Sequence, residues 1–130
     1  MKLSKKTYYG LRAILTLAQA KTSLSIHAIA KKEHLPEDYL EKIFQKLRKA
    51  GIVEAKKGVE GGYLLARPAQ KISAWDVIRE LDGPLRTFSL FTRGELPCLN
   101  VSHCQTNEVL RKFENEIERS LSKITLASLI

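Results

Sequence analysis

The chain has 130 residues, 44% of them hydrophobic and 28% charged, with two cysteines and a formal net charge of +8. That length suits one domain, or one domain with an appended element, and can bury a core without disulfide staples; two cysteines make no disulfide framework, no apolar run reaches the roughly 20 residues of a membrane span, and no cleavage site of small residues follows the lysine-bearing start, so a cytoplasmic protein is expected rather than a secreted or membrane one. The charge is unevenly placed: residues 1–70 hold 14 Lys/Arg against 6 Asp/Glu, and residues 71–130 hold 8 of each, the pattern of a polyanion-binding module joined to a neutral partner element.

The stretch "SKKTYYGLRAILTLAQA" predicts a first helix over about 4–20, capped by Ser4, with Leu11, Ile14, Leu15 and Ala18 on its apolar face and Tyr8 one turn earlier. A second, short helix over about 26–33 follows a cap at Ser25, with Ile26, Ile29 and Ala30 inward, and ends before Pro36. Pro36 suits the first turn of a third helix, with Glu37 and Asp38 near its positive end. In that helix Leu40, Ile43, Phe44 and Leu47 fall at i, i+3, i+4 and i+7, and Gly51 stops it. The period then changes. Ile52-Val53 and Tyr63-Leu64-Leu65 read as two strands of a hairpin turned by Gly58, Gly61 and Gly62, with Lys56 and Lys57 on its shoulder. A fourth helix starts at a Ser73 cap and packs Trp75, Val77, Ile78 and Leu81 inward. A long irregular stretch, "GPLRTFSLFTRGELPCLNVSHC", leads to a last amphipathic helix over 105–130 bearing Leu110, Phe113, Ile117, Leu121 and Ile124 three or four apart.

Three helices followed by a glycine-turned hairpin is the order of a winged helix-turn-helix, so the fold expected is mainly α with a small β-hairpin, plus a long C-terminal dimerisation helix. The expected division is a winged helix-turn-helix domain over 1–66, a connecting helix and sensor loop over 67–104, and the dimerisation helix over 105–130. The third helix, anchored by its apolar face, turns outward Asp38, Glu41, Lys42, Gln45 and Lys49, a polar rod of the size that enters the major groove of B-DNA. Lys46 and Arg48 flank it where phosphates would run, and Lys56 and Lys57 stand where the wing would reach the backbone. The apolar stripe of the last helix is expected to pair with the same helix of a second chain, and two reading helices would then meet a pseudo-palindromic operator. An enzyme is not expected, since there is no phosphate loop, paired-carboxylate pocket or nucleophile–base arrangement, and His27 and His34 read as surface or satisfied histidines. No aromatic platform suggests RNA.

The segments "YYGLRAILTLA", "LPEDYLEKIFQKLRKAGIV", "GGYLLAR" and "ISAWDVIRELDG" together resemble the Rrf2 family of bacterial transcriptional regulators, over nearly the whole chain. That family includes iron–sulfur, nitric-oxide and cysteine-metabolism regulators. The resemblance implies DNA contacts from the start of the first helix, at Lys5; from the reading helix around Asp38, Tyr39, Glu41 and Lys42; and from the wing between Lys57 and Gly62, Gly61 included.

It also bears on "CLNVSHC", residues 98–104, which holds both cysteines. Members with a [2Fe-2S] cluster have three cysteines with five residues between each pair. Cys98 and Cys104 match the second and third; Thr92 stands where the first is expected, and a further ligand of some members falls at Asn107. A cluster takes four ligands, mostly thiolates, so the resemblance implies one here only with unusual ligation, His103 and Glu108 being nearby donors. Zinc could use Cys98, His103, Cys104 and one other group. A reversible thiol switch needs only the two cysteines. The alternative is a cofactor-free regulator controlled by a protein partner or a small molecule.

Overall fold

The computed structural model describes residues 2–59, 61–85 and 105–130. Its elements are α1 (Lys5–Ala20), α2 (Ile26–Glu33), α3 (Glu37–Lys49), β1 (Val53–Lys56), β2 (Gly62–Leu65), α4 (Ala74–Asp82) and α5 (Gln105–Lys123), with 3-10 turns at Ala69–Lys71 and Leu126–Leu129. The serine caps fall where expected. Ser4, Ser25 and Ser73 each have extended backbone and accept from the amide three residues on, satisfying an amide that the first helical turn leaves without a partner. At α4 the cap is reciprocal: the Asp76 carboxylate accepts from the Ser73 amide at 2.8 Å, the capping-box arrangement.

The core lies between α1, α2, α3, the hairpin and α4. Leu40, Ile43, Phe44 and Leu47 of α3 are at most 1% exposed, each burial worth about 1.5–3 kcal/mol. Ile14, Leu17, Ile29, Ile52, Ile72 and Val77 complete its centre. The inward face of α1 differs from the expected stripe. Thr7, Gly10, Ala13, Ile14, Leu17 and Ala18 are buried, Leu11 and Leu15 are half-buried against the core, and Tyr8 is exposed. The face is rotated because Gly10 admits a neighbour where any side chain would collide: a Cβ there would strike Leu81 Cδ1 of α4 and come within 3.4 Å of Ile43 Cγ2 of α3. Thr7 tolerates burial because Ser4 lies within hydrogen-bond reach of both its amide and its hydroxyl.

The hairpin strands are longer than expected at β1. The antiparallel register pairs Val53 with Leu65, Glu54 with Leu64, Ala55 with Tyr63 and Lys56 with Gly62, so the ladder carries β1 to Lys56 through residues with no apolar signal. Leu24, in the loop after α1, adds an isolated bridge to β2 by exchanging hydrogen bonds with Tyr63 at 2.9 and 2.8 Å. Gly62 is required by that bridge, because a Cβ there would run into the Leu24 carbonyl. Phe44 and Tyr63 meet with ring centroids 5.1 Å apart, fixing the hairpin to α3.

The C-terminal end corrects another expectation. The last helix does not run to 130: α5 stops at Lys123, and Ile124, expected on the stripe, lies beyond it. Thr125 instead forms a β-bridge with Ser73. The Ala74 amide donates to the Ile124 carbonyl and the Leu126 amide to the Ile72 carbonyl, both at 2.8 Å. This return places Leu126, fully buried, in the core, a reward that outweighs another turn of exposed helix. Among the described residues no helix is long and apolar enough to cross a membrane.

Candidate nucleic-acid interface

α3 is two-sided. Opposite its four core residues, Glu37, Asp38, Glu41, Lys42, Gln45, Lys46, Arg48 and Lys49 are all exposed. Acidic side chains occupy its first turn and Lys46, Arg48 and Lys49 its last, the order that favours the helix dipole. Among the described residues none of Lys42, Lys46, Arg48 and Lys49 has an ion-pair partner. The face therefore offers hydrogen-bonding groups and uncommitted cations together, on a rod held rigidly from behind.

The start of α1 lies against the start of α3 through aromatic contacts. Lys5 Nζ sits 5.5 Å from the centre of the Tyr9 ring, and Tyr9 meets Tyr39 edge-on at 5.8 Å. Tyr39, expected among the contact residues, is thus half-buried and braces the two helices. Tyr8 is 58% exposed, with the Arg12 guanidinium 5.7 Å from its ring centre. Lys2 and Lys5 are exposed beside it.

Three polar links join the helices, and none was anticipated from sequence. Arg12 of α1 donates from Nε to Glu33 Oε2 at 3.1 Å and from Nη2 to the Glu33 carbonyl at 2.6 Å, while the Thr16 hydroxyl donates to Glu33 Oε1. The Thr16 bond holds the Glu33 carboxyl below its usual value of 4.5; burial opposes this, and the bond and charge of Arg12 add to it. His27 Nδ1 lies 3.0 Å from Glu37 Oε2 across the turn between α2 and α3. His34, the other histidine of this region, ends α2 in a left-handed conformation at φ 54°. At the start of α1, the Ser4 amide donates to Asp82 Oδ2 at 2.9 Å, and the Ser4 hydroxyl donates to Oδ1. Burial raises the Asp82 carboxyl, but the Ser4 bonds, with Thr7 and the Lys6 charge, outweigh it and hold the group below its usual 3.8.

On the hairpin, Lys56, Lys57, Gly58 and Val59 are exposed and Gly61 is half-buried. The Gly61 amide donates to the Gly58 carbonyl at 3.0 Å, closing the tip. A cavity of about 1140 Å³ lies behind the hairpin, between α1 and the C-terminal turn, and has neither histidine nor cysteine among its lining residues. It is remote in character from the polar face of α3.

α5 buries none of its residues within the chain. Val109 and Phe113 are 65% and 50% exposed; Leu110, Ile117 and Leu121 are half-buried. Ion pairs Glu108–Lys112 at 3.0 Å and Glu116–Arg119 at 3.5 Å brace its outer side. Thr92, Cys98, His103 and Cys104 lie outside the described residues. Among the described residues there is no group of three or more histidine, cysteine or carboxylate side chains placed to hold a metal.

Comparison with known proteins agrees with this architecture. A family model described as "Rrf2: Iron-dependent Transcriptional regulator" matches residues 3–130. A chain of Synechocystis sp. named as an HTH-type transcriptional regulator is 37% identical over 99% of this chain and 87% of its own length. The solved structure of T. potens IscR superposes with a TM-score of 0.76 at 37% identity, covering 99% of this chain and 85% of that one. That of CymR, the global cysteine regulator of B. subtilis, superposes with a TM-score of 0.76 at 30% identity, covering 99% and 95%. A winged helix-turn-helix with an exposed polar face on α3, matched from end to end in this way, belongs to the Rrf2 family of transcriptional regulators.

Proposed function

We propose that the chain binds double-stranded DNA sequence-specifically as a homodimer, with α3 in the major groove of a pseudo-palindromic operator, and regulates transcription from there. The observation that carries this reading is the outward face of α3: eight exposed polar or charged side chains, its cations without ion-pair partners among the described residues, on a helix whose other face is fully buried. Uncommitted lysines gain from displacing counterions condensed on phosphates. Glu41, Lys42 and Gln45 present donors and acceptors to base edges, and a carboxylate such as Asp38 or Glu41 accepts from a cytosine N4 amine or disfavours sites that offer no donor. Lys46 meets the flanking phosphates. Lys5 and the wing at Lys57 and Gly61 hold the backbone on either side, with Tyr39 as the brace between α1 and α3. The unburied stripe of α5, from Leu110 and Phe113 through Ile117 to Leu121, supports pairing with a second copy. Work on the genome's own DNA places the protein in the cytoplasm.

The test is selection of fragments from the native genome. Recovered fragments should outcompete random duplex by about 10³-fold or more at physiological salt and release steeply as salt rises. Equal competition by random duplex, in both reduced and oxidised protein, would refute the reading.

The residues for a [2Fe-2S] cluster do not fit. Four ligands, mostly thiolates, are needed, whereas each chain has two cysteines, with Thr92 at the first of the three expected positions. The two thiols favour a second element of the reading, in which Cys98 and Cys104 make the regulator responsive to thiol oxidation. Cys98→Ser and Cys104→Ser variants should then lose any change in operator affinity between reduced and oxidised protein; an identical response in the variants points instead to a partner protein or small molecule.

A further inference from the structure

The contact between Ser4 and Asp82 joins residues 78 positions apart and is not needed to cap α1, since Ser4 already accepts from the Thr7 amide at 3.1 Å. It ties the cap residue of α1 to the last residue of α4 through both donors of Ser4 and both oxygens of the carboxylate. Within two turns of that clasp, Gly10 lets α1 close onto Leu81 of α4 and Ile43 of α3. The start of α1, the end of α4 and the back of α3 therefore meet as one packed unit.

The charge of Asp82 makes this informative. The carboxylate is exposed and feels the Lys6 charge, with Lys2 and Lys5 exposed on the same segment. On a surface that meets phosphates, an aspartate is electrostatically unfavourable, so its place there calls for a geometric role. We propose that Asp82 is a positioning residue for DNA binding: by clasping Ser4 it fixes the direction of the first turn of α1 and so holds Lys5 on the phosphate backbone. This rests on the reading that the start of α1 meets DNA. It also puts the end of α4, which precedes both cysteines in the chain by 16 and 22 positions, in direct hydrogen bond with the DNA-facing segment.

The two explanations of Asp82 differ in sign. If it is merely a surface charge, neutralising it removes a repulsion and tightens DNA binding. If it is a clasp, neutralising it weakens binding and removes a phosphate contact. The experiment measures operator affinity against salt for the full-length wild type, Asp82→Asn, Ser4→Ala and Glu80→Gln, with thermal melting alongside. Glu80 is exposed on the same helix and serves as the matched loss of charge. Asp82→Asn should bind about tenfold more weakly, with a log–log salt slope shallower by about one. Ser4→Ala, which keeps the amide bond to Asp82 but loses the hydroxyl, should shift both in the same direction by less. Glu80→Gln should bind as tightly as wild type or tighter. If Asp82→Asn also melts early, Ser4→Ala and Ser4→Thr decide: the threonine keeps cap and donor and should restore wild-type affinity and slope. Wild-type or tighter binding by Asp82→Asn with an unchanged slope overturns the clasp while leaving DNA binding intact. A wild type that shows no salt-dependent duplex binding overturns the underlying reading itself.

Discussion

α3 and α5 are written in the same pattern and end in opposite circumstances. Both place large apolar residues three and four apart on an otherwise charged helix. In α3 those residues are sealed, Phe44 and Leu40 fully buried; in α5 none is buried, and Phe113 remains half exposed. An apolar stripe therefore says that a helix has a partner, not where the partner is. The partner of α3 lies within the chain, which leaves exposed the polar face proposed to meet DNA. The partner proposed for α5 is the same helix of a second chain.

That contrast can be broken by substitution. Phe44→Ala should be the most damaging change, costing about 3–5 kcal/mol in denaturant unfolding because the surrounding core cannot collapse onto the void; a cost under 1 kcal/mol would mean the α3 face is not the anchor described. Phe113→Asp should leave the fold of each chain intact by circular dichroism but yield a monomer in sedimentation, with operator affinity lowered roughly 10²-fold as the second half-site is lost. A variant that still sediments as a dimer would show that α5 is not the seam. Glu33→Ala, which removes the strut between α1 and α2, should cost about 2 kcal/mol at neutral pH, as expected for charge-assisted hydrogen bonds. Because the folded carboxyl titrates below its unfolded value, this stabilisation is complete above the usual glutamate range and is lost as pH falls through the lowered value; the gap between wild type and variant should close on acidification, and a gap that persists at low pH would assign the cost to packing. Glu41→Ala should act least on stability, within about 0.5 kcal/mol, while relaxing base preference at one operator position by about 1–3 kcal/mol; unchanged discrimination among site variants would remove Glu41 from the reading set.

The same contrast explains what the sequence disclosed. The α3 face was legible because Leu40, Ile43, Phe44 and Leu47 keep an uninterrupted helical period, and the caps were legible because Ser4, Ser25 and Ser73 act on amides three residues away. The packing face of α1 was not, since its decisive residues are Thr7 and Gly10, which carry no apolar signal; the nearness of α4 gives them their role. β1 reaches Lys56 only because β2 imposes a register. The chain leaves the helix after Lys123 because Thr125 meets Ser73 and Leu126 finds the core, a long-range gain that the helical period of "SKITLASLI" conceals. The exposed polar face of α3, the candidate site, follows from the helical period of α3 alone, so its exposure could be expected in advance. The struts Arg12–Glu33–Thr16 and Ser4–Asp82 join separate helices, and nothing local announces them.

The most direct test of the account is hydroxyl-radical footprinting of the wild-type protein on a fragment selected from the native genome. Two symmetric protections, each flanking a major groove and separated by a whole number of helical turns of about 10 base pairs, are the predicted result. Uniform protection along the fragment, or a single protected patch at saturating protein, would contradict it.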